Sequence, residues 1–165
     1  MKIVTLCREL LPQAAALEAL CFPEPWSESA LGFLLTEEAT GVAALDDGGT
    51  LIGYGGMLFA PDEGQILNLA VAPGHRRQGV GSQILSALLS AAAERRLSSV
   101  SLEVRVSNFP AVALYEHSGF AIAGRRSRFY KHPVEDAFVM IRSGNPSAKD
   151  HDRTAAHNDM ETKNE

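Results

Sequence analysis

One segment of the sequence has the residue types of a pyrophosphate-binding turn: Arg76-Arg77-Gln78-Gly79-Val80-Gly81-Ser82. Glycines lack a Cβ and let a phosphate approach the backbone. The first turn of a helix offers unpaired N–H groups and the positive end of the helix dipole. Two adjacent arginines add positive charge beside these donors. The alternative interpretation is an ordinary strand-to-helix turn with two surface arginines.

Two widespread phosphate motifs fit this segment less well. A dinucleotide-binding fingerprint needs Gly or Ala where this sequence has Ile84, and it needs its glycines directly after the strand. A Walker A loop is excluded, because Gly-Lys-Ser/Thr does not occur in the sequence. The better description is Arg/Gln-x-x-Gly-x-Gly/Ala, with Arg76, Gly79 and Gly81 at its fixed positions.

Three other side chains could do chemistry in the second half of the chain. Glu103 follows an otherwise apolar run, where a carboxylate is either a solvent-facing strand residue or a base, and the pattern alone favours the first. Tyr115 lies in a short predicted helix and is either core packing or a donor of its phenolic proton. Asn108 has the position of a helix N-cap, with Pro110 in the first turn.

The elements that must position these residues alternate along the chain. Leu17, Leu20 and Cys21 mark one face of a first helix, and Ser27 is a suitable N-cap for a second. The apolar run from Ile66 predicts a strand buried on both faces. Together they predict an α/β fold, a mixed sheet with helices on both faces. The predicted strands are 2–6, 42–45, 50–59, 64–72, 99–104, 119–129 and 135–141, and the later helices are 80–96 and 109–117.

The length of 165 residues is that of one domain with a short extension. Residues 143–165 are polar, and Met160 is their only sizeable apolar residue, so burial cannot offset the entropy cost of ordering them. We expect one domain over 1–142 and a disordered tail over 143–165.

Composition excludes several classes of protein. The net charge of −5 disfavours a general binder of nucleic acid or of an anionic membrane. No apolar run reaches the ~20 residues of a membrane helix, and the first residues do not resemble a secretory leader, so a cytoplasmic location is expected. Cys7 and Cys21 lack C-x-x-C spacing, and no His or Cys spacing suits a metal.

The pattern Arg76-x-x-Gly79-x-Gly81 resembles the acetyl-CoA-binding motif of the Gcn5-related N-acetyltransferases. Two neighbouring segments resemble the same family in the same order: Asn68-Leu69-Ala70-Val71-Ala72-Pro73 and Asn108-x-x-Ala111-x-x-Leu114-Tyr115-x-x-x-Gly119-Phe120. The resemblance covers about 64–120. It implies a mostly antiparallel central sheet, in which the strand 64–72 splays from the strand 99–104 to open a V-shaped slot for acetyl-CoA.

The resemblance also implies roles for individual residues. Glu103 stands where a subfamily has its proton acceptor, and Tyr115 matches the general acid that protonates the leaving CoA thiolate. An amide at Val71 would stabilise charge that develops in the transition state. Transfer is expected to be direct, in a ternary complex, without a metal. The expected cofactor-binding residues are Leu69, Ala70, Val71, Arg76, Arg77, Gln78, Gly79, Val80, Gly81, Ser82 and Asn108.

The acceptor is indicated by a narrower resemblance. Phe22–Ser27, Leu102–Asn108 and Arg125-Arg126-x-x-x-Tyr130 resemble a bacterial subfamily that acetylates the N-terminal alanine of small-subunit ribosomal protein eighteen. Trp26 and Tyr130 would then contact the peptide; otherwise they are a helix staple and a strand aromatic. The alternatives are an acetyltransferase for a small-molecule amine or a lysine side chain, a non-catalytic acyl-CoA-binding module and, more remotely, a nicotinamide-dependent oxidoreductase.

Overall fold

The computed structural model describes residues 1–144 and contains a seven-stranded sheet in the order β1-β2-β3-β4-β5-β7-β6. Every neighbouring pair is antiparallel except β4 and β5, which are parallel. The mixed, mostly antiparallel sheet confirms the predicted α/β class. The strands are β1 (Lys2–Thr5), β2 (Ala39–Leu45), β3 (Leu51–Phe59), β4 (Glu63–Val71), β5 (Ser99–Arg105), β6 (Ala121–Lys131) and β7 (Val134–Ser143).

Four α-helices cover the two faces of the sheet, and short 3-10 turns flank them. One core lies under the third and fourth helices, and a second core lies under the first two. None of the helices within residues 1–144 is long and apolar enough to cross a membrane. The helices are α1 (Leu11–Cys21), α2 (Glu28–Leu31), α3 (Val80–Glu94) and α4 (Phe109–His117).

Local sequence signals account for most element boundaries. The turn between β2 and β3 is closed by Asp46, whose Oδ1 accepts from Gly48 N and Thr50 N at 2.9 Å. Ser27 caps α2 by accepting from Ala30 N at 3.1 Å, as predicted. The last strand includes Ser143, one residue beyond the predicted domain boundary, and the predicted tail from residue 145 onward lies outside the described residues.

The buried face of α1 differs from the predicted one. Leu20 is 65% exposed, whereas the buried positions are Leu11, Ala14, Leu17 and Glu18. These positions follow the helical period, so the prediction was right for Leu17 and wrong for Leu20, and Cys21 is half-buried. The error arose because a carboxylate occupies a position where an apolar residue is the usual choice.

The parallel pair β4–β5 is short, and this opens the sheet. The two strands pair only over Glu63–Gln65 and Ser99–Ser101, after which no further partners join them. A bulge at Leu67, between the pairs Met57–Ile66 and Gly56–Asn68, bends β4 at the same point. The prediction that β4 is buried on both faces from Ile66 onward is therefore wrong for Leu67 to Leu69 and Val71, which are only half-buried.

Candidate active site

The divergence of β4 and β5 creates a cleft of about 410 Å³ in the middle of the sheet. Its walls come from both strands, the segment after α1, the start of α4 and the turn between β6 and β7. Six residues selected from the sequence line this one cleft: Trp26, Leu69, Glu103, Asn108, Tyr115 and Tyr130.

Two residues of β4 turn their backbone polar groups away from β3, and one of them, Leu69, lines the cleft. Ala72 N donates to Ile52 O on β3 at 2.9 Å, so Ala72 and Ile52 occupy a hydrogen-bonded position of the antiparallel ladder. Because bonding alternates along an antiparallel ladder, Val71 and Leu69 direct their N–H and C=O groups away from β3. These groups face the side that β5 has left, as a pantetheine arm would require.

Ala70 departs from the expected cofactor-binding set. The same alternation directs its backbone groups to Tyr54 on β3, and its methyl group is 3% exposed in the core beneath α1 and α2. Neither its polar groups nor its side chain reach the open side of β4. Ala70 therefore lies on the β3 side of β4 and not in the wall of the cleft.

The turn before α3 has the geometry of an anion site. Gly79 is the N-cap with φ of 82°, a left-handed conformation that glycine adopts at little cost. The N–H groups of Val80, Gly81 and Ser82 have no intrahelical partner, because they belong to the first turn of the helix. The residue at the N-cap provides no side-chain hydrogen bond to them either. Arg77 is exposed beside them with φ of 59°. This turn has the donors, the dipole and the charge to bind a pyrophosphate.

Gly81 also fits a close approach between α3 and the slot. A Cβ at this position would lie 3.4 to 3.7 Å from side-chain atoms of Leu114, Leu69 and Val71. These contacts show that the first turn of α3 lies against the two β4 residues whose backbone groups point away from β3. The residues present therefore fit a ligand that runs from the α3 N-terminus along β4.

Two of the expected anion-binding side chains make local bonds instead. Arg76 Nε donates to Val71 O at 3.1 Å, and its Nη2 lies 3.7 Å from Cys21 Sγ. Gln78 Nε2 donates to Gly74 O at 3.3 Å. Arg76 thus donates to the carbonyl of Val71, while the N–H of that residue points away from β3.

Glu103 projects from β5 on the face opposite Leu102 and Val104, whose side chains are buried in the core beneath α3. Its side chain is 16% exposed. Gln65 Nε2 donates to Glu103 Oε2 at 3.2 Å, and Arg126 Nε lies 3.5 Å from Glu103 Oε1. The carboxylate is held by two partners at the cleft wall instead of facing bulk solvent.

Tyr115 reaches the cleft from α4 and is 8% exposed. Burial raises the pKa of its phenol to about 12. Its ring packs edge-on against Phe120, with 5.8 Å between the ring centroids. The phenol therefore remains protonated at neutral pH and can donate its proton to a leaving group.

Asn108 begins α4 and confirms the expected cap. Its Oδ1 accepts from Ala111 N at 3.3 Å, and Pro110 occupies the first turn. The residue also lines the cleft. Helix capping and a ligand contact are compatible, because the cap uses only the side-chain oxygen.

Tyr130 is held over the cleft by Arg105, which the sequence analysis did not select as a site residue. The Arg105 guanidinium stacks on the Tyr130 ring at 4.2 Å from its centroid. It also donates to the carbonyls of His132 and Pro133, at 3.0 Å each. Burial raises the pKa of the Tyr130 phenol, although the charge of Arg105 opposes that rise.

Glu135 completes this support from β7. It accepts from Ser107 N and Ser107 Oγ at 2.9 Å, and Arg105 Nη1 lies 3.4 Å from it. The Ser107 hydroxyl and backbone N–H hold the pKa of the Glu135 carboxyl below its usual range. Its partner Arg105 lies 30 residues away in the sequence.

An irregularity in β6 sets the direction of Tyr130. The register between β6 and β7 shifts between Arg126 and Tyr130, and Arg128 has φ of 52°. Asp136 stabilises the shift by accepting from Arg128 N and from Arg125 Nε, both at 2.8 Å. A bulge of this kind re-aims the side chains that follow it.

A buried network on the other side of the cleft was missed by the sequence analysis. Glu18 is 1% exposed, yet it lines the cleft. Its carboxylate accepts from the Tyr54 hydroxyl, from Asn68 Nδ2 at 2.8 Å and from Trp26 N at 3.0 Å. Burial raises the pKa of the Tyr54 phenol, and the hydrogen bond to Glu18 raises it further. No local motif predicts a carboxylate at an apolar helix position.

The two loops that flank the cleft also touch each other. Glu24 Oε1, after α1, lies 3.1 Å from His132 Nε2, in the turn between β6 and β7. Both side chains are mostly exposed, so the contact contributes little stability. It brings the loop of Trp26 next to the turn that follows Tyr130.

Metal and disulfide chemistry have no support among the described residues. Residues 1–144 contain no cluster of three or more His, Cys, Asp or Glu side chains able to hold a metal ion. Cys7 is exposed, Cys21 is half-buried, and both are free thiols.

A family model described as the acetyltransferase (GNAT) family matches residues 11–120. This range contains the anion-binding turn, β4, β5 and α4. It also contains Glu103, Asn108 and Tyr115, whereas Tyr130 lies beyond it.

Individual relatives cover most of the chain. The N-alpha-acetyltransferase RimI of Mycobacterium tuberculosis is 36% identical over 88% of this chain and 94% of its own length. The [ribosomal protein bS18]-alanine N-acetyltransferase of Escherichia coli is 33% identical over 79% of this chain and 88% of its own. A crystal structure of the ribosomal-protein-S18-alanine N-acetyltransferase from Escherichia coli superimposes with a TM-score of 0.80 at 31% identity, covering 87% and 94% of the two chains.

Proposed function

The chain belongs to the acetyltransferase (GNAT) family, and from that premise we propose that it acetylates the N-terminal alanine of a small-subunit ribosomal protein, the S18 protein, with acetyl-CoA as donor. The observation that carries this proposal is a single cleft with two kinds of wall. Leu69 lines it from β4, where the backbone groups of Leu69 and Val71 point away from β3, and the aromatic residues Trp26, after α1, and Tyr130, near the end of β6, line it as well.

Acetyl-CoA supplies an acetyl thioester, an acyl donor that an uncharged amine can attack. The α3 N-terminus, with Gly79, Gly81 and Arg77, would hold its pyrophosphate. Leu69 and Val71 would hold the pantetheine arm through their backbones. The Val71 N–H, which points away from β3, would stabilise negative charge on the reacting carbonyl oxygen.

Glu103 would accept the proton of the acceptor amine. An α-ammonium group must lose its proton before its nitrogen can attack, and a carboxylate at the cleft wall can take that proton directly or through one water molecule. Arg126 and Gln65 fix the carboxylate without covering its remaining lone pairs.

Tyr115 would protonate the departing CoA thiolate. Its phenol keeps its proton at neutral pH because burial raises its pKa to about 12. Acid and base thus come from different elements, α4 and β5, that line the same cleft. This arrangement supports direct transfer, in which the amine attacks the thioester without an acetylated enzyme.

The acceptor assignment depends on the two flanking loops. The segment that contains Trp26 and the turn that follows Tyr130 touch through Glu24 and His132. Together they border the cleft where an acceptor would enter. A chain end fits such an opening better than a residue in the middle of a peptide. The relatives named for alanine N-acetylation support the same class of acceptor.

Two other candidate functions remain to be separated from this one by experiment. An acetyltransferase for a lysine side chain or a small amine would share the slot and the anion-binding turn. A non-catalytic acyl-CoA-binding module would share them too, but it would have no use for Glu103 and Tyr115 in the same cleft.

The test is acetyl transfer to a panel of peptides, with products located by fragmentation mass spectrometry. The panel contains peptides that begin with Ala, Ser or Met-Leu, and one peptide with a blocked N-terminus and free lysines. We expect acetylation of the Ala α-amine. Acetylation of lysine alone would overturn the acceptor assignment, and CoA binding without transfer to any peptide would overturn the assignment of a protein acceptor.

A further inference from the structure

Glu18 is the only charged side chain that is buried among the residues the structure describes. No Lys, Arg or His of residues 1–144 lies within ion-pair distance of it. A buried carboxylate is costly unless hydrogen bonds replace its hydration. Three donors do so here, from Tyr54, Asn68 and Trp26.

The two carboxylate oxygens serve different parts of the molecule. Oε1 accepts from Tyr54 on β3 and from Asn68 on β4, which precedes Leu69 directly. Oε2 accepts from the backbone N–H of Trp26 in the loop after α1. The Glu18 side chain therefore joins the loop that contains Trp26 to β4 at Asn68, the residue directly before Leu69.

The side-chain amide of Asn68 is oriented with its NH₂ group toward Glu18. Asn68 Nδ2 donates to Glu18 and also lies 2.5 Å from the Tyr54 hydroxyl oxygen. Its Oδ1 is buried without a hydrogen-bond partner. Reversing the amide would place its oxygen against the carboxylate, and the two oxygens would repel each other. The orientation that donates to Glu18 is therefore favoured, although it leaves Asn68 Oδ1 without a partner.

We infer that Glu18 is a positioning residue for the acceptor, which fixes the Trp26 loop relative to β4 so that the acceptor amine meets the thioester. The inference rests on the proposed function for the identity of the acceptor. It assigns Glu18 no contact with the reacting atoms: Glu18 acts through the backbone of Trp26.

The test compares Glu18→Gln with wild type, using Tyr54→Phe as a milder second variant. Glutamine keeps the size of the side chain but presents an NH₂ group to at least one donor, whereas phenylalanine removes one donor only. The matched control is Leu97→Ala, which opens the core at the end of the sheet where β4 and β5 are still paired.

The first readout needs no substrate. Trp26 is the only tryptophan in the chain, so its fluorescence reports the loop alone. We expect Glu18→Gln to make Trp26 more accessible to acrylamide quenching, Tyr54→Phe to have a smaller effect, and Leu97→Ala to have none. Unchanged quenching in Glu18→Gln, or the same increase in Leu97→Ala, would overturn the inference.

The second readout is steady-state kinetics with the Ala-starting peptide. Hydrogen bonds to a charged group have energies that correspond to roughly 10- to 100-fold in binding, so we expect the KM for peptide to rise roughly 10-fold or more in Glu18→Gln. The KM for acetyl-CoA should stay within about twofold, because Leu69 and Val71 bind through their backbones. An equal rise in both KM values, or a loss confined to kcat, would contradict a role in positioning the acceptor.

The two readouts separate the failure of this inference from the failure of the proposed function. If the wild-type protein acetylates no peptide, the proposed function fails, and the quenching experiment still decides whether Glu18 fixes the loop. If the wild type is active and Glu18→Gln changes neither quenching nor the peptide KM, only the positioning role fails.

Discussion

The two halves of the cleft are built in different ways. The half proposed to bind the donor consists of backbone groups from neighbouring residues: Leu69 and Val71 on β4 and the N-terminus of α3. The half proposed to bind the acceptor depends on side chains joined across 28 to 50 residues, such as Arg105 with Pro133 and Glu18 with Asn68. A donor that is always the same molecule can be held by invariant backbone geometry. Acceptor binding depends on side chains, which can differ between relatives with the same fold.

Replacing Glu103 with glutamine should have the largest effect on turnover. The amide cannot accept the amine proton, so we expect kcat to fall roughly 100-fold or more. Binding of CoA should be unchanged, because Glu103 belongs to neither the α3 turn nor β4. The measurement is kcat by thiol release together with CoA affinity by calorimetry, with Glu116→Gln, an exposed residue of α4, as the matched control.

Tyr115→Phe should reduce kcat by about 100-fold, at the lower end of the range for a general acid, without a change in either KM. The phenol keeps its proton until the pH approaches its pKa of about 12. Tyr115 should therefore cause no loss of kcat as the pH rises from 7 to 10. A decline in that range that is present in wild type and absent in Tyr115→Phe would contradict the raised pKa of the Tyr115 phenol, and an unchanged kcat in Tyr115→Phe would contradict its assignment as the acid.

Arg105→Ala should affect the acceptor half alone. It removes the stack on Tyr130 and the donors to the carbonyls of His132 and Pro133. We expect the KM for peptide to rise roughly 10-fold, since hydrogen bonds from a charged donor are among the stronger ones. Arg105→Lys should recover only part of the loss, because an ammonium group lacks the planar fork. A comparable rise in the KM for acetyl-CoA would show that the two halves are not independent.

Arg77→Ala should have the smallest effect, and on the donor half alone. The exposed guanidinium supplements backbone donors that remain in place, so we expect the KM for acetyl-CoA to rise about fivefold and the KM for peptide to stay constant. Arg8→Ala serves as the control. Arg8 is also exposed, and its replacement removes the same charge at a position distant in sequence from the α3 turn. A rise in the peptide KM for Arg77→Ala would contradict the division of the cleft.

The donor half was largely predictable, because its signals are local. The glycine spacing before α3 and the Asn108 cap each require only a few adjacent residues, and both were found where the sequence placed them. Ala70 shows the limit of this approach: a motif includes consecutive residues, but alternation along a strand turns every second one away from the slot.

The acceptor half was only partly predictable. Trp26 and Tyr130 were selected by resemblance, but the residues that hold them were not. Glu18 occupies a helix position that normally carries an apolar residue, and the pattern placed Leu20 on the buried face with Leu17 and Cys21. Arg105 gains its role through partners in a turn about 28 residues away. Such contacts depend on strand register and on the bulge in β6, which no short pattern encodes.

The most direct test of a shared cleft uses a bisubstrate compound, in which CoA is joined through an acetyl bridge to the α-nitrogen of an Ala-starting peptide. Calorimetry would compare its affinity with those of CoA and of the peptide. If both halves open on one cleft and transfer is direct, linking them should raise affinity roughly 100-fold or more over CoA alone. An affinity no greater than that of CoA, together with an acetylated enzyme isolated after incubation with acetyl-CoA alone, would contradict direct transfer in this cleft.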